Sequence, residues 1–458
     1  MLELSQSSHL LEQKSYKYQL QDVAEPVLYR DAFNYEEAPK IPFNHRRVPM
    51  AMPEDIWITD TTFRDGQQAM DPFSVEQIVT LYKLMSRLSG PKGIIRQSEF
   101  FIYSKKDREA FDRCRELGLR YPEITSWIRA TPQDLEAGWR GHGDPGDRHP
   151  GQLLRLPHLQ KAAHDPPPGH GHLPCHCEGG LLCRSYPPLP PGGHHPGGLL
   201  WLRGALRQRL QDLSREAGIP VKIRACDTLG LGVPYGGSTL PRCVPGIIYG
   251  LRHYADVPAR CLEWHGHNDF HLATANAAHA WMYGASAVNC TLLGIGERTG
   301  NVPLESMVFQ YAGFRGTLDG MDTTAITDIA RYFQREIGYN IPENAPFVGR
   351  NFNVTRAGIH ADGLLKDEEI YNIFDTKTIL DRPASVMVSK TSGLAGIAYW
   401  INENYGLAGD AAIAKNDPLV AQLKAWVDDL YDSGRQSSMS RHELEQKLQE
   451  LAPGRFSA

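Results

Sequence analysis

Three stretches of the sequence gather groups that can do chemistry. The first, Asp60-Thr61-Thr62-Phe63-Arg64-Asp65-Gly66-Gln67-Gln68, crowds two acids and an arginine into six positions behind an apolar run. An ordinary ion pair in a charged loop accounts for it as well as a site does. The second, Trp264-His265-Gly266-His267-Asn268-Asp269, sets two imidazoles two residues apart at the end of another apolar run. On a strand, both rings point to the same side, a pattern that favours a shared metal ion over two unrelated structural histidines. The third, Gly294-Ile295-Gly296-Glu297-Arg298-Thr299-Gly300-Asn301, has glycines that suit a turn and an Asn301 that can lend an amide oxygen. Asp227-Thr228-Leu229-Gly230 offers a fourth polar end, readable as a strand cap or as a substrate contact.

The elements that must carry these groups alternate. Ile56 to Ile58, Ile94 to Phe101, Ile124 to Ile128, Val221 to Ala225, Cys261 to His265 and Ala287 to Leu293 read as strands. Between them, Val75 to Leu88, Lys105 to Leu117, Leu210 to Ala217, Arg242 to Tyr254, Ala273 to Met282 and Leu304 to Phe314 read as helices. Such alternation predicts parallel βαβ units. Polar chemistry recurs after successive strands, and a (β/α)8 TIM barrel is the α/β fold that collects all its strand ends around one site. Residues 53–325 are therefore expected to form the barrel. Residues 1–52, polar and broken by Pro26, Pro39 and Pro42, read as an arm, and 326–458 as a smaller helical lid region with helices Pro418 to Leu430 and Ser440 to Leu451.

Six strands are counted where a barrel needs eight, and the fourth and fifth belong in the stretch 139–209. From Gly141 to Leu200 there is no Ile, Val, Phe, Met, Thr or Asn, whereas Pro, Gly and His abound. Regular strands cannot be built from that composition. A Pro/Gly/His-rich insertion is one explanation, and a metal site from Cys175, His176, Cys177, His194 and His195 is another. The favoured explanation is a frameshift, which leaves strands 4 and 5 scrambled. Shifted by one base, the codons of Pro187 through Arg203 permit Pro-Arg-Cys-His-Leu-Glu-Asp-Ile-Thr-Arg-Ala-Asp-Phe-Tyr-Gly-Phe, with the alternation of a strand running into a helix.

Composition narrows the class. At 458 residues, 41% hydrophobic and 22% charged with a net charge of -5, the chain has no basic excess for nucleic acid. No apolar run approaches the roughly 20 residues of a membrane span, and Met1 to Lys14 is too polar for a signal peptide. Eight scattered Cys suit a reducing compartment, so the cytoplasm is expected.

Arg64-Asp65-Gly66, His265-x-His267-Asn268-Asp269 and Gly296-Glu297-Arg298-x-Gly300-Asn301 together resemble the aldolase-like acyltransferases: isopropylmalate synthase, homocitrate synthase and the (R)-specific citrate synthases. The resemblance covers residues 55–138 and 210 to about 400. It implies that Asp65, His265, His267 and Asn301 hold one divalent ion (Zn, Mn, Co or Mg), that Arg64 faces the reacting oxygen, and that Thr228 meets the substrate carboxylate. Arg96 is expected to pair a second acceptor carboxylate, and Gln68 joins the substrate-binding candidates. Arg356-Ala357-Gly358-Ile359-His360 resembles the histidine loop that reaches a neighbouring subunit's site, which makes His360 an acid/base candidate in a homodimer. The implied reaction is condensation of acetyl-CoA with a 2-oxo acid, oxaloacetate or 2-oxoglutarate before 2-oxoisovalerate. A hydroxyacyl-CoA lyase of the same superfamily and a frameshifted, non-functional product are the alternatives. The family's acidic residue from strand five matches the Glu of the shifted reading, which this chain does not encode. A leucine-sensing domain is not expected after residue 458.

Overall fold

The computed structural model describes residues 2–4, 11–13, 41–43, 46–127, 222–235, 243–253, 256–367 and 374–456. Two compact units result, residues 1–321 and 322–458.

The first unit is built on six strands: β1 Trp57–Asp60, β2 Ile95–Phe100, β3 Glu123–Ser126, β4 Ile223–Asp227, β5 Leu262–Gly266 and β6 Ala287–Cys290. All neighbouring pairs are parallel, in the order β3-β2-β1-β6-β5-β4. The first strand lies beside the last, and sequence order runs one way round from there. A doubly wound open sheet reverses direction at its switch point, whereas a ring does not. The gap falls between β3 and β4, where the sequence reading expects the fourth and fifth strands; these, and the helix expected at Leu210 to Ala217, lie outside the described residues.

Helices cover the outside of the sheet. β1, β5 and β6 are buried at every residue, as parallel strands covered by crossover helices must be. Helix α1, Val75–Ser89, turns Ile78, Leu81, Tyr82, Met85 and Leu88 inward at helical spacing. Ser74 caps it reciprocally with Gln77, and Ser104 does the same with Asp107 for α2, Lys105–Glu116. Helices α3 Val244–His253, α4 Ala273–Tyr283 and α5 Leu304–Arg315 follow the later strands.

Two local departures from the sequence reading bear on the site. β6 stops at Cys290 rather than Leu293, because Leu292–Gly294 turns as a short 3-10 segment with Leu293 at φ 57. In β2 the register slips by one residue, since Ile58 pairs with Ile95 but Thr59 with Gln97. Such a bulge re-aims every later side chain of the strand.

The second unit is helical: α6 Thr324–Tyr332, α7 Gly358–Lys366, α8 Thr376–Leu380, α9 Leu394–Asn404, α10 Pro418–Asp432 and α11 Arg441–Leu451. Ile397, Ile401, Val420, Leu423, Val427, Leu444 and Leu448 form its main apolar core. Among the described residues, no helix is long and apolar enough to cross a membrane.

Candidate active site

Asp65 follows β1, and His265 and His267 end β5, one strand removed across β6. Their buried ligand atoms all lie within 4.8 Å of one another. The two imidazoles stand 5.2 Å apart and nearly perpendicular, and His267 Nε2 is 3.8 Å from Asp65 Oδ2. The bridge between His267 and Asn301 ties the β5 end to the loop after β6.

Two of these side chains, His265 and Asp65, are held by neighbouring amides. His265 Nδ1 lies 2.8 Å from Asn289 Oδ1, while the Asn289 amide donates to Thr59 Oγ1 at 3.0 Å. With Nδ1–H directed at Asn289, the His265 Nε2 lone pair is left for a cation. Asn301 is buried and donates from Nδ2 to Asp65 Oδ2 at 2.6 Å and to the Ile295 carbonyl at 3.2 Å. It thus meets the cluster through its nitrogen, and its Oδ1, like His267 Nδ1, has no partner among the described residues. Unpartnered buried polar atoms beside one carboxylate and two imidazoles fit a divalent cation.

The electrostatics agree. Burial pushes His265 down to about 3 against the pull of Asp65, so the ring is a neutral donor at pH 7. Burial opposes ionisation of Asp65, but the Arg64 charge and the Asn301 amide are among the groups that outweigh it and hold the carboxyl below its usual range.

Arg64 is buried next to the cluster, with Nη1 3.0 Å from Asp65 Oδ1. Sequence reading missed the groups that hold its other side. Glu99 Oε2, on β2, accepts from Arg64 Nε and Nη2 at 3.4 Å each and from Thr61 Oγ1 at 2.9 Å. Arg224, from β4, pairs with both Glu99 oxygens and places Nε 2.5 Å from Glu263 Oε1 on β5. Burial opposes the charge of Glu99, yet Arg224 and Arg64 pull its carboxyl down to about 2. A readable signal existed for one of them: Glu263 lies between Leu262 and Trp264 in a strand run, where a buried charge needs a partner.

The remaining expected residues scatter. Thr228, at the β4 end, is exposed, and its carbonyl accepts from Arg298 at 2.6 Å. Arg298 also grips Asp269, with Nε 2.8 Å from Oδ1. Arg96 lies at the start of β2, the far end from Asp65, with its guanidinium 4.2 Å over the Trp57 ring. Gln68 is exposed in the turn Gly66–Ala69, whereas Gln67 is buried and donates to the Phe63 carbonyl. His360 is on α7 of the second unit, half-buried, and is not among the residues that the first unit brings together. Cys175, His176, Cys177, His194 and His195 lie outside the described residues.

The HMGL-like family matches residues 211–332. A citrate (Re)-synthase of Clostridium kluyveri is 47% identical, over 96% of this chain and 97% of its own. The chain therefore belongs to the aldolase-like acyl-CoA C-acyltransferases, the family of the citrate (Re)-, homocitrate and isopropylmalate synthases. A second citrate (Re)-synthase, of Syntrophus aciditrophicus, is 48% identical over 96% of this chain and 70% of its own. A 2-phosphinomethylmalate synthase of Streptomyces hygroscopicus is 32% identical over 93% and 96%.

Proposed function

We propose that this site joins the acetyl group of acetyl-CoA to oxaloacetate, with 2-oxoglutarate the next acceptor and 2-oxoisovalerate the third. The observation that carries the reading is the buried cluster of Asp65, His265 and His267 with Arg64 at its side. The names of the two relatives at 47% and 48% identity support oxaloacetate. Asp65, His265 and His267 would hold the cation, with Asn301 steadying Asp65. When bound, the cation supplies a Lewis acid that polarises the acceptor's keto group.

The chain's own groups do the rest. Arg64 directs a fixed positive charge at the keto oxygen as negative charge gathers there. Thr228 receives the acceptor's carboxylate at the mouth, and Gln68 remains a candidate for a substrate contact, whereas Arg96, stacked on Trp57 at the opposite end of β2, does not. The acetyl methyl gives up a proton, its carbon bonds to the keto carbon, and the keto oxygen takes a proton. Water then cleaves the thioester, releasing CoA thiol and leaving a new carboxylate where the thioester was. His360 of a second copy in a homodimer is the proposed proton carrier, with residues 326–458 acting as a lid.

The test is thiol release from acetyl-CoA with each 2-oxo acid, in Mn, Mg, Co and Zn. Oxaloacetate is expected to be the best acceptor. Cleavage of a hydroxyacyl-CoA without any condensation would replace this reading by a lyase. Two proteins are compared, the chain as encoded and one with codons 139–209 read one base on. Losing two of eight strands exposes edges at a cost beyond the roughly 5–15 kcal/mol of a typical domain. Turnover is therefore expected from the shifted form, and full turnover from the chain as encoded would remove the frameshift.

A further inference from the structure

We propose that Glu99 and Arg224 are positioning residues for Arg64: Glu99, anchored by Arg224, fixes the guanidinium beside the Asp65, His265 and His267 cluster. This rests on the reading of the cluster as a condensing site. Five charged groups alternate in sign across the inside of the sheet, from Glu263 on β5 through Arg224 on β4 and Glu99 on β2 to Arg64 and Asp65 after β1. Ion pairs buried this well rarely gain stability over an apolar filling of the same volume, so a row of them calls for another reason.

Geometry supplies one. Arg64 follows β1 on a long side chain, and a guanidinium that must face a reacting oxygen has to be held in one plane. Glu99 Oε2 touches two of its nitrogens, and the Trp127 ring lies 5.6 Å from its carbon. Glu99 is held in turn, by Thr61 on one oxygen and by Arg224 on both. Arg224 cannot swing away, because Glu263 takes its Nε. The pair thus determines where Arg64 points while Arg64 alone meets the substrate.

The experiment uses the full chain with codons 139–209 read one base on, the form from which turnover is expected. Glu99→Gln is expected to lower kcat by about 10- to 100-fold, the usual effect of removing a group that orients a site residue, with the KM for acetyl-CoA little changed. It is also expected to weaken protection of the Arg64 Nε–H against exchange, read by nitrogen-15 NMR with Arg64→Lys as the assignment control. The exchanged pair Glu99→Arg with Arg224→Glu keeps the mutual attraction but sets a cation against Arg64. Its unfolding temperature should exceed that of either single change, with kcat still depressed. Recovery of both together, or an Arg64 signal and kcat unmoved in Glu99→Gln, would overturn the proposal. If the form with codons 139–209 read one base on releases no thiol with any 2-oxo acid, the condensing reading fails; the Arg64 signal then still decides whether Glu99 fixes the guanidinium.

Discussion

The two units differ in what they bury. Among the described residues, every buried charged side chain and both buried imidazoles belong to the first unit, including Asp60, Arg64, Asp65, Glu99, Asp227, Glu263 and Glu305. The buried polar side chains of the second are Thr323, Thr327, Thr376 and Ser392. Its core is otherwise aliphatic and aromatic, from Ile397 and Trp400 to Val427 and Leu448. Burying a charge costs several kcal/mol unless it is paired, whereas burying a leucine is favourable without any partner. The first unit thus accepts a standing cost for its chemistry, and the second is packed for stability.

That contrast can be broken most sharply at the cation site. Asp65→Asn should lower thiol release by about a thousandfold, since several kcal/mol of charge stabilisation goes with the lost ligand. Chelation of the parent protein should match it, and isothermal titration with Mn(II) should show the lost binding. The mirror experiment is Leu423→Ala in the second unit, where the side chain is fully buried. It should cost about 2–5 kcal/mol in urea unfolding and leave kcat per folded molecule unchanged.

A smaller effect separates buried acids that serve the fold from those that serve the site. Burial pushes Glu305 up to about 7 from 4.5, and its Oε2 accepts from the Leu293 N–H. The folded state therefore holds the proton more tightly than the unfolded chain. Its stabilising contribution is complete below about pH 4.5 and is lost as pH rises to about 7, by roughly 3 kcal/mol in total. Glu305→Gln should flatten that slope in denaturant titrations taken across this pH window. The smallest effect is expected on the surface of the second unit, where Arg441 pairs with Glu445 one helical turn away. Arg441→Ala should shift stability by no more than about 0.5 kcal/mol, a difference that 0.5 M salt would erase.

How far the sequence could be read depended on how local the information was. Apolar runs and helical spacing placed β1, β5, α1 and α10 within a residue or two, because each element's period is written in its own residues. His265 and His267 were legible for the same reason, since two residues on one strand must share a face. Arg96 was harder to place. The slip between Ile58 and Thr59 that shifts β2 exists only once β1 is beside it.

By itself, then, the sequence determined the alternating α/β elements, the strand-end chemistry and the pairing of Asp65 with two histidines that marks the family. Only the tertiary structure decided what stands behind those residues. Asn289 orients His265 from the neighbouring strand, Asn301 reaches Asp65 from 236 residues away, and Glu99 and Arg224 meet across 125 residues. Such contacts have no period along the chain. They come from the parallel register, which sets residues of distant sequence at one level inside the sheet, where a low dielectric leaves each charge dependent on its neighbour.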